Sequence, residues 1–159
     1  MGKQYKAYFT SPIGILEIKS TENSIISCTF EEKKSAISVI TPILEEALNQ
    51  LDLYFKGKRT NFDLKLLLDG TDFQKKVWKE LQNIPFGHTV SYQEVANRIG
   101  KKNAVRAVGN ANGKNPISVI IPCHRVIGRD GKLVGYGGGI EKKRWLIQFE
   151  KSILLGHMH

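Results

Sequence analysis

The first thirty residues carry the short apolar and polar pattern of β-strands. Gln4 to Thr10 and Ile13 to Ile18 read as two strands parted by Ser11-Pro12, a turn signal, and Ile25 to Phe30 reads as a third. The period then lengthens. Ile43, Leu44, Ala47, Leu48 and Leu51 fall on one helical face, with Thr41 as N-cap, Pro42 at the first helical position and Gly57 as the stop. Lys58 to Asp69 reads as a linker holding an apolar patch, Leu64 to Leu68.

The second half is patterned for helices first. Thr71 to Gln74 has the form of a capping box, and Val77, Trp78 and Leu81 follow on one face. After a turn at Pro85-Phe86-Gly87, Ser91 to Glu94 is a second match to that box, with Val95, Ala96 and Ile99 as the apolar face and Gly100 as the end. Asn103 is placed as cap of a further short helix running to about Asn112. Two short helices joined by a few residues that include glycine resemble a helix-turn-helix. Ile117 to Ile121 is expected as a buried strand. Arg129 to Lys132, between Val126-Ile127 and Leu133-Val134, is expected as a hairpin, which would form a wing. A last helix is expected over about Glu141 to Lys151, and the tail Gly156 to His159 carries no expected structure. The boundaries drawn are a domain over 1–65, a linker over 66–70 and a second domain over 71–159.

Charge sharpens this division. The 159 residues carry a net charge of +9. Residues 1–70 balance nine Lys/Arg against nine Asp/Glu, whereas residues 71–159 hold fifteen against six, so the whole excess lies in the second half. A neutral half beside a basic half points to a polyanion-binding module, nucleic acid above all, attached to something else. No apolar run reaches the roughly 18 residues of a membrane span, and Met1 to Tyr5 lacks the apolar segment of a signal peptide. Neither a disulfide framework nor a Cys-x-x-Cys site is evident, so a reducing compartment is expected: cytoplasm in a prokaryote, nucleus in a eukaryote.

The chemistry concentrates in Ile121-Pro122-Cys123-His124-Arg125-Val126. A free thiol with a pKa of about 8.5 is mostly protonated at neutral pH. His124 can supply a base, and Arg125 can supply positive field. The competing reading is a structural cysteine. Adjacent side chains of an extended strand point to opposite faces, so Cys123 and His124 can cooperate only if the chain turns at Pro122. The glycine run from Gly135 fails as a dinucleotide fingerprint because Ile140 stands where the third glycine is needed. It fits a flexible loop closing over a pocket. His88, His124, His157 and His159 show no metal-ligand spacing with the cysteines, so no metal is expected, and Cys28 reads as core.

The Pro-Cys-His-Arg-Val run combines with Ser91-Tyr92, Arg106-Ala-Val-Gly-Asn-Ala111, Asn115-Pro116, Gly135-Tyr-Gly-Gly-Gly139 and Trp145 to Glu150. In this order and spacing the chain resembles the O6-alkylguanine-DNA alkyltransferases, densely over Thr71 to Lys151 and weakly over residues 1–65. The resemblance implies an α/β (α+β) fold: an N-terminal antiparallel-sheet domain, ribonuclease H-like, and a C-terminal winged helix-turn-helix domain. It implies irreversible transfer of an alkyl group from O6-alkylguanine in duplex DNA to a cysteine of the protein, once per molecule and without a cofactor. O4-alkylthymine acceptance is left open. The implied protein is a monomer, with cooperative assembly on DNA also open.

By that resemblance Cys123 is the nucleophile, His124 takes its proton through a water, and Glu150 orients His124. Asn115 holds the turn, and Tyr136 donates to guanine N3 with help from Lys143. The carbonyls of Cys123 and Val126 accept from the guanine amino group, and the Gly137 N–H meets O6. Arg106 fills the gap left by the extruded base while Tyr92 presses on a phosphate. Ala104, Ala107, Gly109 and Ala111 lie in the minor groove. Ser91, Lys101, Lys102, Lys114 and Arg125 complete the DNA contacts. Two other functions stay open on the residues alone: a non-enzymatic helix-turn-helix lesion sensor or transcription regulator, and a cysteine hydrolase built on Cys123 and His124.

Overall fold

Strands β1 (Tyr5–Ser11), β2 (Gly14–Ser20) and β3 (Ile25–Glu31) form an antiparallel meander in a computed structural model that describes residues 2–156. The register pairs Ala7 with Ile18 and Ile18 with Cys28, so these buried residues line one face. Helix α1 (Pro42–Phe55) covers that face with Leu44, Ala47, Leu51 and Tyr54, all fully buried at helical spacing. Thr41 caps it by accepting from the Leu44 N–H at 3.2 Å. At its end Gly57 takes φ 73°, Lys58 N donates to Leu53 O and Gly57 N to Tyr54 O, the left-handed stop that glycine allows.

The linker is tied down rather than loose. Gln50 clasps the backbone of Asp63 through both its amide oxygen (2.8 Å) and nitrogen (3.0 Å), and Ile25 bridges Leu66. Two compact units result: Met1–Asp69 with Pro116–Ile120, and Gly70–Asn115 with Ile121–His159. Pro116–Ile120 therefore departs from a continuous second domain. Cys28 N donates to Pro116 O at 2.9 Å, and Ser118 N to Cys28 O at 2.8 Å, which adds this stretch to β3.

The expected strand over Ile117 to Ile121 is not formed. Only isolated bridges remain, because Val119 takes φ 71° and breaks the extended path. A β-branched residue enters that conformation at a cost of about 1–3 kcal/mol.

The second unit holds α2 (Asp72–Leu81), β4 (Val90–Ser91), α3 (Tyr92–Arg98), α4 (Val105–Gly113), a single 3-10 turn (Cys123–Arg125), β5 (Val126–Ile127) and α5 (Ile140–Gly156). The capping box at Thr71 and Gln74 closes in both directions. Val77, Trp78 and Leu81 of α2 are buried with Val95 and Ala96 of α3 and Val108 of α4, and the Trp78 indole donates to Ala111 O at 2.8 Å. The helix-turn-helix is present as α3 and α4, with Gly100 at φ 73° in the turn. Asn103 is not the cap of α4. The Ala104 N–H closes on Lys101 O at 2.8 Å, the helix starts one residue later, and no side chain caps it.

The expected wing is also corrected. The turn forms, with Gly128 N donating to Lys132 O and Gly131 at φ 78°, but Leu133 and Val134 are not a strand. β5 pairs instead in parallel with β4, and the Val134 carbonyl is taken by side chains. The last helix begins at Ile140 and runs to Gly156, longer than expected. His157 and His159 lie outside the described residues.

Candidate active site

Pro122 ends the bridged segment, and Cys123, His124 and Arg125 enter a 3-10 turn with all three side chains buried. With about three residues per turn, successive side chains fan around the axis instead of alternating. Neighbours in sequence can thus serve one site. Opposite them, α5 buries Lys143, Leu146 and Glu150, a 3-and-4 spacing that is one helical face. The stripe that docks Leu146 turns a cation and a carboxylate inward.

Glu150 is the hub. Its Oε2 meets His124 Nε2 at 2.7 Å and accepts from an Arg125 terminal nitrogen at 3.0 Å. Its Oε1 accepts from Arg125 Nε at 2.8 Å and from the Gly87 N–H at 3.1 Å. Gly87 sits at φ 81°, and a Cβ there would come within 2.7 Å of Leu154, so the turn that presents this N–H needs glycine. Arg125 also donates from Nη1 to Ile84 O at 2.6 Å and lies over the Phe86 ring. Burial alone would raise the carboxyl pKa of Glu150, but His124 and Arg125 overcome it and hold the group far below the ordinary carboxylate range. Arg125 is therefore not a DNA contact. It is 6% exposed and forks onto Glu150.

This fixes the state of His124. Burial lowers its pKa, Glu150 opposes that, and Arg125 and Lys143 add to the lowering, so the ring is neutral at neutral pH. An ionised Glu150 only accepts hydrogen bonds, so Nε2 must carry the proton and Nδ1 keeps its lone pair. His124 Nδ1 has no hydrogen-bond partner among the described residues. It is a base held ready by an oriented partner, the logic of a nucleophile–base–carboxylate triad.

Cys123 needs that base. Burial pushes its thiol up to about 11, against the opposing effects of an Asn115 hydrogen bond and the Lys143 charge. At pH 7 a thiolate there costs about 5 kcal/mol, since each unit is worth about 1.4 kcal/mol, so proton removal must accompany attack. Lys143 is fully buried and donates to Val134 O at 2.7 Å and to the Tyr92 hydroxyl at 3.3 Å. Burial lowers its pKa to about 8, and Cys123 pulls the other way. The Tyr92 hydroxyl, expected at a phosphate, is held on Val134 O at 3.0 Å. Its pKa is raised by burial and by Cys123, while Asn112 lowers it.

Asn115 donates to Ile121 O at 2.8 Å and holds the approach to the nucleophile turn. Tyr136 and Val126 are buried, and Gly137 is exposed. On the helix-turn-helix, Arg106, Ala107, Lys101, Lys102 and Lys114 are exposed, and Ala104 and Gly109 are half-buried. Ala111 is not available to a groove. It is 2% exposed, and its carbonyl holds Trp78. Ser91 caps α3 by accepting from Glu94 N at 3.0 Å. Sequence reasoning missed Asn112, whose amide donates to Cys123 O at 3.3 Å. Its signal was position: it follows Val108 by four residues on the buried face of α4.

The buried pair also sets an acid limit. Glu150 has a depressed folded pKa, so its contribution is present above its ordinary 4.5 and is lost as pH falls below that. His124, buried neutral, likewise costs stability as pH falls below its ordinary 6.5. Thermal unfolding from pH 7.5 to 3 should therefore show a falling Tm, and the gap between wild type and Glu150→Gln should narrow below pH 4.5. A gap independent of pH would show that the carboxylate charge is not what stabilises the network.

Two family models cover most of the chain: the 6-O-methylguanine DNA methyltransferase ribonuclease-like domain over residues 4–68 and the DNA binding domain of the same family over residues 72–152. A methylated-DNA–protein-cysteine methyltransferase of Mycobacterium tuberculosis is 49% identical over 147 residues, 89% of each chain. One from Methanosarcina barkeri is 47% identical over 156 residues, 94% of this chain and 99% of its own. Among solved structures, the M. tuberculosis O6-methylguanine methyltransferase superposes with a TM-score of 0.86 at 45% identity, covering 94% of both chains. The M. tuberculosis OGT in complex with DNA gives 0.83 at 49% identity over 92% of both.

Proposed function

The chain belongs to the 6-O-methylguanine DNA methyltransferase family, and we propose that it repairs DNA by irreversible transfer of the alkyl group of O6-alkylguanine to its own Cys123. The observation that carries this reading is a buried cysteine followed by a buried histidine whose Nε2 meets the buried Glu150 carboxylate at 2.7 Å. A module that only binds DNA has no need of that arrangement.

The thiol proton of Cys123 passes through a bridging water to His124 Nδ1, and Glu150 and Arg125 stabilise the imidazolium that forms. The sulfur attacks the alkyl carbon, and the carbon–O6 bond breaks with its electron pair going to the purine. Tyr136 donates toward N3 as charge develops, the Lys143 charge favours the thiolate, and the proton returns to guanine. The products are guanine and a thioether on Cys123, which nothing in this chemistry reverses. The Gly137 N–H and the carbonyls of Cys123 and Val126 hold the base. The DNA it acts on lies in the cytoplasm of bacteria and archaea, the sources of the relatives above, and the same compartment is inferred here.

The lesion is stacked in a duplex and must be extruded at a cost of a few kcal/mol. Arg106, exposed on α4, fills the vacated space, while Lys101, Lys102 and Lys114 meet phosphates without regard to sequence. Arg106→Ala should slow repair of duplex DNA by about one to two orders of magnitude, the scale set by that cost. It should leave reaction with free O6-alkylguanine base nearly unchanged. Equal losses on both substrates in a single-turnover assay would remove this role.

Stoichiometry tests the function itself. With excess duplex bearing one O6-methylguanine, the guanine restored should equal the protein added and then stop. Continued restoration would contradict single-use transfer, and turnover of an ester or peptide in its place would support the hydrolase reading. Binding with no guanine restored would support a lesion sensor.

A further inference from the structure

Asn112 sits on the last turn of α4 and is 1% exposed. Its Nδ2 donates to the carbonyl of Cys123 at 3.3 Å, and its amide is also a hydrogen-bond partner of the Tyr92 hydroxyl. That orientation is forced. Reversed, Oδ1 would face the Cys123 carbonyl oxygen, acceptor against acceptor. The consequence is that Oδ1 is buried and has no partner among the described residues. Leaving a buried amide oxygen unpaired forfeits the hydrogen bond it would make to water in the unfolded chain. The helix holds it there nonetheless, since the neighbouring Ala111 carbonyl is pinned by Trp78 at 2.8 Å. Lys143 donates to Val134 O and to the Tyr92 hydroxyl, and Tyr92 donates to Val134 O, so neither of these bonds reaches Oδ1.

An acceptor without a donor, beside the nucleophile, calls for a ligand that brings an N–H. O6-alkylation removes the N1 hydrogen of guanine, so the exocyclic amino group is the one donor left on the base-pairing edge. O4-alkylthymine has none there. Resting on the alkyl transfer proposed above, we infer that Asn112 Oδ1 receives the exocyclic amino group of the extruded base and makes this protein select alkylated guanine over alkylated bases that lack such a donor. Asn112 is then a specificity residue. The amino group has two hydrogens: one goes to Asn112 Oδ1, and the other is shared by the carbonyls of Cys123 and Val126.

The test is a pair of duplexes identical except for the lesion: O6-methylguanine, and O6-methylhypoxanthine, which lacks only the amino group. Single-turnover transfer rates are measured for wild type, Asn112→Leu and Asn112→Ala, with circular dichroism to confirm folding. Wild type should react roughly 10- to 100-fold faster with O6-methylguanine, the range set by one unsatisfied buried acceptor. In Asn112→Leu that ratio should shrink by about tenfold, chiefly through slower reaction with O6-methylguanine. Asn112→Ala supplies the same comparison if the leucine variant does not fold. A residue that only supports the turn would slow both lesions alike and preserve the ratio, and that result overturns the inference. So does a wild type that reacts equally with both. A wild type that transfers from neither lesion fails the parent reading as well, which separates the two.

Discussion

Glu150→Gln is expected to lower the melting temperature by roughly 6–20 °C and to slow alkyl transfer by about two to four orders of magnitude. The stability loss comes from Arg125. It is 6% exposed, and two of its donors rest on the carboxylate. Removing the partner of a buried charge costs about 3–5 kcal/mol, from a total of about 5–15 kcal/mol for a domain of this kind. Each kcal/mol is worth about 2–4 °C at this size. The rate loss comes from His124. Only an anion obliges Nε2 to carry the proton, and without it the ring can protonate Nδ1 and present no base to the thiol. A positioned base is worth about 10²–10⁴. Thermal unfolding and a single-turnover assay on one preparation read both effects. The control is Glu141→Gln. Glu141 is paired with Arg144 at an exposed position, and its loss should fall within about 0.5 kcal/mol of zero. If both variants behave alike, the Glu150 network has no special place in the fold or the chemistry.

Cys123→Ala is expected to accept no alkyl group at all while binding duplex DNA within about threefold of wild type. Cys123 is 4% exposed, whereas Arg106, Lys101, Lys102 and Lys114 are exposed on α4 and its flanks. Phosphate contacts set affinity and leave the reaction to the turn. Truncating one buried thiol removes little volume, so the variant should stay folded. Methyl transfer measured beside fluorescence anisotropy on the same duplex checks both halves. Residual transfer would mean that another group, Cys28 included, is the acceptor. Cys28 is a poor one. It is fully buried on β3, and burial pushes its thiol up to about 12.

Much of this architecture is legible because local rules act locally. Thr41-Pro42 and the Thr71–Gln74 box specify helix starts within their own few residues, and α1 and α2 begin where those signals stand. The apolar stripe of the last helix carries Lys143 and Glu150 along with Leu146. What could not be read is where long-range partners override a local preference. Ile117 to Ile121 is apolar and β-branched apart from Ser118, yet Val119 at φ 71° breaks it into bridges. Leu133-Val134 looks like the second arm of a hairpin, but Lys143 and Tyr92 claim the Val134 carbonyl. Arg125 stands in a basic half and reads as a DNA contact until the 3-10 turn points it at Glu150. Asparagine at position 112 reads as a polar residue near a helix end. Its burial is plain only from the heptad-like spacing with Val108 and Ala111.

The central claim is that Cys123 is the acceptor, and intact-protein mass tests it most directly. After reaction with duplex DNA bearing one O6-methylguanine, the mass should rise by one methyl group per molecule and no more. Peptide mapping should place that group on Cys123. An unchanged mass with DNA still bound, or a methyl group on any other residue, would contradict the account.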